Sequence, residues 1–182
     1  QAHNPPLMLG LRQLPLEIRH IFWSRLLLAF AFGLSFPFVP LYFERQGIAL
    51  GTIGLVLAAN LLVSSLGNLL GGHITDVLGA RKTMILSLAW RAGITLLLAL
   101  AIMANAAASL TATLFFTATF VGQIMAPAAD TYIAQRFNFT ERSNVFSVMR
   151  VGVNAGWALG PVAGGFFANS LGFGNLFAIT GV

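Results

Sequence analysis

From Leu26 to Phe43 the chain reads LLLAFAFGLSFPFVPLYF, a run without one charged side chain, closed off by Arg25 on one side and Glu44-Arg45 on the other. A helix needs about 20 predominantly apolar residues to cross ~30 Å of hydrocarbon. The run is therefore read as a membrane span, at about 26–43. Moving outward, no Asp, Glu, Lys or Arg occurs from Gln46 to Thr75, and a second span is placed within it at about 50–70. Ala92 to Ala129 is again free of charge, but too long for one crossing. Its polar segment Asn105-Ala-Ala-Ala-Ser109 is the natural turn, which gives spans at about 83–104 and 110–134. By the same logic the apolar stretch to Val182 divides at Asn169-Ser-Leu-Gly-Phe-Gly-Asn175. A fifth span is expected at about 145–168, and a sixth begins at about 174.

Composition agrees with lipid as the solvent. The 182 residues are 57% hydrophobic and 8% charged, against roughly 25% charged residues in soluble domains. The absence of cysteine excludes disulfides, thiolate metal sites and cysteine nucleophiles. His3, His20 and His73 are scattered without ligand spacing, so no metal site is expected. The net charge of +5 sits between apolar runs instead of along one polar face, which argues against a nucleic-acid partner. Residues 1–20 lack the apolar core and cleavage site of a signal peptide. The chain starts at Gln1 and stops inside an apolar run, and is expected to be part of something longer.

Orientation follows from the bases in short loops. Arg12, Arg19, Arg25, Arg81, Lys82, Arg136 and Arg142 are assigned to one side and only Arg45 to the other, so the N-terminus is expected in the cytoplasm. The glycosylation sequon Asn138-Phe-Thr140 then falls on the cytoplasmic side and should stay unmodified. Residues 1–24 are expected to be a tail, with Leu11–Trp23 as a short interfacial helix or as basic anchors.

Three stretches carry a family resemblance. Gly33-Leu-Ser-Phe-Pro37-Phe-Val-Pro40 resembles the proline-rich first-helix motif of drug–proton antiporters in the major facilitator superfamily. Gly72-His-Ile-Thr-Asp76-Val-Leu-Gly79-Ala-Arg81-Lys82 is similar to that superfamily's signature loop. Gly79 permits a tight turn, and Asp76 with Arg81 and Lys82 is placed for a reversible charge network at a cytoplasmic gate. Val77 and Ala80 stand where the family often has basic residues, which thins that network. Gly152, Gly156, Gly160-Pro161 and Gly164-Gly165 resemble the fifth-helix antiporter motif, and glycines four apart also let another helix approach closely.

The resemblance implies an all-α integral membrane protein, the first six-helix half of a twelve-helix fold, with three-helix repeats at about 26–104 and 110–182 and the chain ending within helix six. It also implies a C-terminal half as partner, in the same chain or another, and a cavity lined by helices one and four.

Arg91, Asp130 and Arg150 fall inside the expected spans. A charge at the bilayer centre costs about 2.5–3.5 kcal/mol on insertion scales, so each needs a partner or water. Asp130 and Arg150 lie equally far from a turn near Thr140 and should be neighbours or share a cavity, with Arg91 as a competitor for Asp130. Polar residues at helical spacing form stripes expected to face the bundle interior: Thr119, Gln123 and Asp130; Ser147, Arg150 and Asn154; Asn60, Ser64 and Asn68. Asp130 is the candidate proton-coupling carboxylate, since burial favours the neutral form and a nearby arginine the charged one; a static salt bridge is the other reading. The fourth-helix arginine common in drug antiporters is replaced by Phe115.

The expected function is a secondary active transporter of a cell membrane, exporting small amphipathic or drug-like compounds by proton antiport, with protons as the coupling ion and no cofactor. Uptake of another solute (a sugar, organic acid or nucleoside) and a non-transporting scaffold subunit are the alternatives. No nucleophile–base pair, metal constellation or phosphate-cradling loop points to an enzyme.

Overall fold

Proline and glycine set the helix boundaries in the computed structural model, which describes residues 11–181 save the side chains of Arg12, Thr140, Asn169 and Leu171. After a 3-10 turn at Leu11–Gln13, α1 runs Leu16–Ser35. Pro15 stands at its N-cap with Glu17 in the first turn, where a carboxylate complements the helix dipole. Pro37 lacks an N–H and its ring crowds the preceding turn. The chain accordingly narrows to a 3-10 turn at Phe36–Phe38 and resumes as α2, Val39–Arg45, with Pro40 in its first turn. Gly47 turns the chain at φ 78° into α3, Leu50–Leu78.

One residue, Gly79, separates α3 from α4 (Ala80–Met103). Asn105, the one non-glycine described residue at positive φ (50°), turns the chain toward α5, Ala108–Arg136. Asparagine is among the few residues that tolerate this conformation. Asn138 and Glu141 then cap the next helix reciprocally: Glu141 N–H donates to Asn138 Oδ1 at 3.0 Å and Asn138 N–H to Glu141 Oε2 at 3.3 Å. α6 spans Phe139–Gly181 and is broken at Gly172 (φ 77°, ψ 166°). That break falls inside the turn expected between spans five and six.

One difference from the sequence reading concerns α1. Leu16–Trp23 is the first part of the first membrane helix, not a separate interfacial helix, because nothing after Pro15 interrupts the backbone ladder. Residues 1–10 of the expected tail, and Val182, lie outside the described residues. Helix α1 begins before its charge-free run and α3 ends after its own, since a helix does not stop where the first charge stands. Among the described residues, four segments are long and apolar enough to cross a membrane: Leu16–Arg45, Leu50–Leu78, Ala80–Met103 and Ala108–Arg136.

Packing is pairwise. α1 lies along α6, α5 sits between α3 and α4, and α4 also touches α6. Two apolar clusters close the ends of the bundle. One gathers Ile18, Phe22, Met84, Met125, Ile133, Val145 and Met149; the other gathers Val39, Phe43, Ile53, Leu98, Ile102, Phe115 and Phe177. On the outside, α3 presents Leu55, Leu61, Leu62, Leu66 and Leu69, each more than half exposed. Such a face is suited to contact with lipid or with another apolar protein surface. Chain direction places the start of α1, the α3–α4 turn and the α5–α6 turn at one end, and Glu17 fixes the first to the last by an ion pair with Arg136 at 2.7 Å. Arg81, Lys82, Arg136 and Arg142 thus share one end of the bundle, and Arg45 lies at the other.

Candidate functional site

The glycine row of α6 is the seam with α1. A Cβ built on Gly156 would lie 2.6 Å from the Leu26 carbonyl oxygen and 2.7 Å from the Phe30 nitrogen. One on Gly160 would meet the Phe30 oxygen at 2.6 Å and the Gly33 backbone at 2.8 Å. Gly152 abuts the Phe22 ring and Gly164 abuts Leu34 and Phe38. Pro161 approaches Gly33, its Cδ 3.2 Å from where a Cβ would stand. The first-helix and fifth-helix motifs, read separately in the sequence, therefore meet face to face. Gly165 points into open space and takes no part.

At the α3–α4 turn Gly79 adopts φ 83°, ψ 147°. Its N–H donates to the Thr75 carbonyl at 2.9 Å, and its own carbonyl accepts from Thr83 N–H at 3.1 Å and from the Thr83 hydroxyl at 3.0 Å. A single glycine reverses the chain because its N–H closes the last turn of α3 and its carbonyl opens the first turn of α4. Gly72 has no neighbour where a Cβ would stand. Asp76, Arg81 and Lys82 are exposed, and the two ion pairs among the described residues include none of them. The expected charge network is thus not closed within this bundle.

Asp130, near the end of α5, accepts a hydrogen bond and ion pair from Arg25 Nη1 at 2.7 Å. The sequence reading paired it with Arg150 or Arg91. Arg25 was missed because it borders the first charge-free run and was counted among the loop bases; the helix begins nine residues earlier, which carries Arg25 inside. Arg150 does line the same cavity, of about 270 Å³, together with Asn154, Met149 and Val153. So Asp130 has one arginine in contact and a second bordering the same space. The Arg25 side chain is 15% exposed and that of Asp130 49%.

Arg91 lies elsewhere. At the midpoint of α4 it is directed at α5, its side chain 3.0 Å from where a Cβ on Gly122 would stand, and its guanidinium lies 5.8 Å from the centre of the Phe32 ring. With Thr119, Thr95, Ser35 and Thr180 it lines a small chamber between the two apolar clusters. It does not compete for Asp130.

The remaining polar candidates divide between α3 and α5. Asn68 Nδ2 donates to Gln123 Oε1 at 3.3 Å, joining two predicted cavity residues across the helix pair. Asn60 is 2% exposed on the buried stripe Ile53, Asn60, Gly67, Gly71, Thr75; its Oδ1 is buried with no hydrogen-bond partner. The close approach behind that stripe comes from Gly67 against Phe120 and Gln123 and Gly71 against Ile124 and Pro127. Asn60 is thus a seam residue, whereas Asn68 is exposed.

Comparison with known proteins adds a lineage to this geometry. Residues 21–182 match the sequence model of the Major Facilitator Superfamily. The chain is 27% identical over 165 residues to an uncharacterized MFS-type transporter, YqjV, of Bacillus subtilis, covering 85% of this chain and 38% of that protein. It is 31% identical over 138 residues to a Na(+), Li(+), K(+)/H(+) antiporter of Planococcus maritimus (74% of this chain, 32% of that protein). It is 33% identical over 156 residues to the multidrug resistance protein MdtG of Escherichia coli (82% of this chain, 37% of that protein). The chain spans only 32–38% of the length of these relatives.

Proposed function

The chain belongs to the major facilitator superfamily, and on that premise we propose that it forms the first half of a proton-coupled exporter of small amphipathic compounds. It is a multi-pass membrane protein of a transporter family, not an enzyme. The observation that carries the finer reading is Asp130, a carboxylate held by Arg25 at 2.7 Å with Arg150 on the wall of the same cavity. A carboxylate beside an arginine favours its charged form, and one moved into apolar surroundings favours its neutral form. Opening the Arg25–Asp130 pair during a conformational change takes up a proton, and closing it returns that proton.

The relatives support the same direction. One bears the name of a multidrug resistance protein and another that of a cation–proton antiporter. A partner half, in the same chain or another, completes the substrate cavity, since family members alternate access between two such halves. The bases gathered at the end that holds the α3–α4 and α5–α6 turns support a cytoplasmic location for that end and for the N-terminus.

A second reading follows from the Planococcus relative: exchange of monovalent cations for protons, with Asp130 as an oxygen ligand. Membrane vesicles under an imposed pH gradient separate the readings. Proton-driven export of amphipathic dyes supports the first. Proton-driven movement of Na(+) or K(+) without dye export supports the second. Flux of either kind that ignores the gradient refutes both.

A further inference from the structure

The chamber at Arg91 has a polar inventory that the coupling site does not use. It is lined by Ser35 and Phe32 of α1, Arg91 and Thr95 of α4, Thr119 of α5, and Thr180 after the Gly172 break. Ser35 and Thr180 spend their hydroxyl protons on the backbone carbonyls of Ala31 (3.1 Å) and Phe177 (2.8 Å). Among the described residues, Thr95 and Thr119 make no hydrogen bond and Arg91 makes neither a hydrogen bond nor an ion pair; the one polar-group contact of Arg91 is with the face of Phe32. Among the described residues, no carboxylate lines the chamber. An unpaired guanidinium and two unspent hydroxyls thus converge on one space at mid-helix.

Such a cluster lacks a counter-charge. In the centre of a bilayer an uncompensated arginine costs about 2.5–3.5 kcal/mol on insertion scales; Arg91 is only partly exposed, and an apolar cluster lies toward each end of the bundle. Water can satisfy donors but cannot neutralise a cation. Size restricts what can. The cavity is about 30 Å³, close to the share of one water molecule in the liquid and an order of magnitude below a drug-sized pocket.

We propose that Arg91, Thr95 and Thr119 form a buried binding site for one small inorganic monoanion of halide size, a structural counter-ion that closes the middle of the bundle. The guanidinium supplies the charge and two N–H donors, and the two threonine hydroxyls donate from α4 and α5. The site differs in place and chemistry from the Asp130 cavity, and its ligand is not the transported compound.

The test is thermal unfolding of the full-length protein in detergent, in sodium chloride or bromide against sodium gluconate at equal ionic strength. A ligand that binds the folded state alone raises the midpoint in a saturable way. Chloride and bromide are expected to raise it by about 3 °C or more, and Arg91→Met is expected to abolish the difference. Identical midpoints in chloride and gluconate for the unaltered protein overturn the proposal. So does an Arg91→Met protein that keeps the full response. If Arg91→Met does not fold, Thr119→Val decides in its place: a halide dependence displaced to higher concentration supports the site, and an unchanged one overturns it.

Discussion

Gly33 of α1 and Gly160 of α6 lie backbone against backbone, so that a Cβ on either would stand 3.3 Å or less from the Cα of the other. Two helices at this distance gain dispersion contacts along their length, the main source of helix association in lipid. The seam predicts a contrast between neighbouring glycines. Gly156→Val should lower stability by roughly 1–3 kcal/mol, because the obstructing atoms are the α1 backbone at Leu26 and Phe30. Gly165→Ala, one residue beyond the row, should change it by no more than about 0.5 kcal/mol. Thermal unfolding in detergent measures both.

A second contrast concerns the α3–α4 turn. Gly79 holds φ 83° with ψ 147°, a region nearly closed to residues with a Cβ. Gly79→Ala is expected to cost about 1–3 kcal/mol, although nothing occupies the space where its Cβ would point. Gly72→Ala, equally open but helical, should be silent or slightly stabilising. Equal effects at the two positions would remove the conformational explanation.

The turns and glycines were legible because they act locally. The break at Gly172, the turn at Asn105 and the one-residue reversal at Gly79 all fall where residue type alone limits the backbone. Charge-free runs located the helices but not all of their ends, since a helix can continue past a charged residue. What stayed hidden was contact between distant segments. Asp130 was recognisable as a charge inside a span, and Arg150 and Asn154 border its cavity as their spacing implied. Its actual partner, Arg25, stands 105 positions away in sequence, and periodicity within one helix carries no information about which helix comes next to it. Arg91 was recognised as an interior charge for the same reason, and misassigned a partner for the same reason.

The Arg25–Asp130 pair should be measurable as a coupling. Asp130 keeps 49% of its side-chain exposure, so solvent screening limits the interaction. A double-mutant cycle with Arg25→Gln and Asp130→Asn is expected to return about 0.5–1.5 kcal/mol. A coupling near zero would mean that the two groups do not sense each other in the folded protein.

Orientation is open to chemical labelling because this chain contains no cysteine. A membrane-impermeant maleimide applied to intact cells should modify Gln46→Cys, beside Arg45. It should reach Lys82→Cys and Ser143→Cys only after the membrane is permeabilised. Labelling of Lys82→Cys in intact cells would invert the assignment of the N-terminus to the cytoplasm.

Proton uptake at Asp130 is the claim on which the transport mechanism depends. The direct measurement is substrate-driven proton movement by the reconstituted full-length protein, unaltered and with Asp130→Asn, alongside substrate exchange in the absence of a pH gradient. The account predicts that Asp130→Asn leaves exchange running and abolishes both the proton movement and gradient-driven accumulation. A folded Asp130→Asn protein that still couples protons to substrate at the unaltered rate would contradict it.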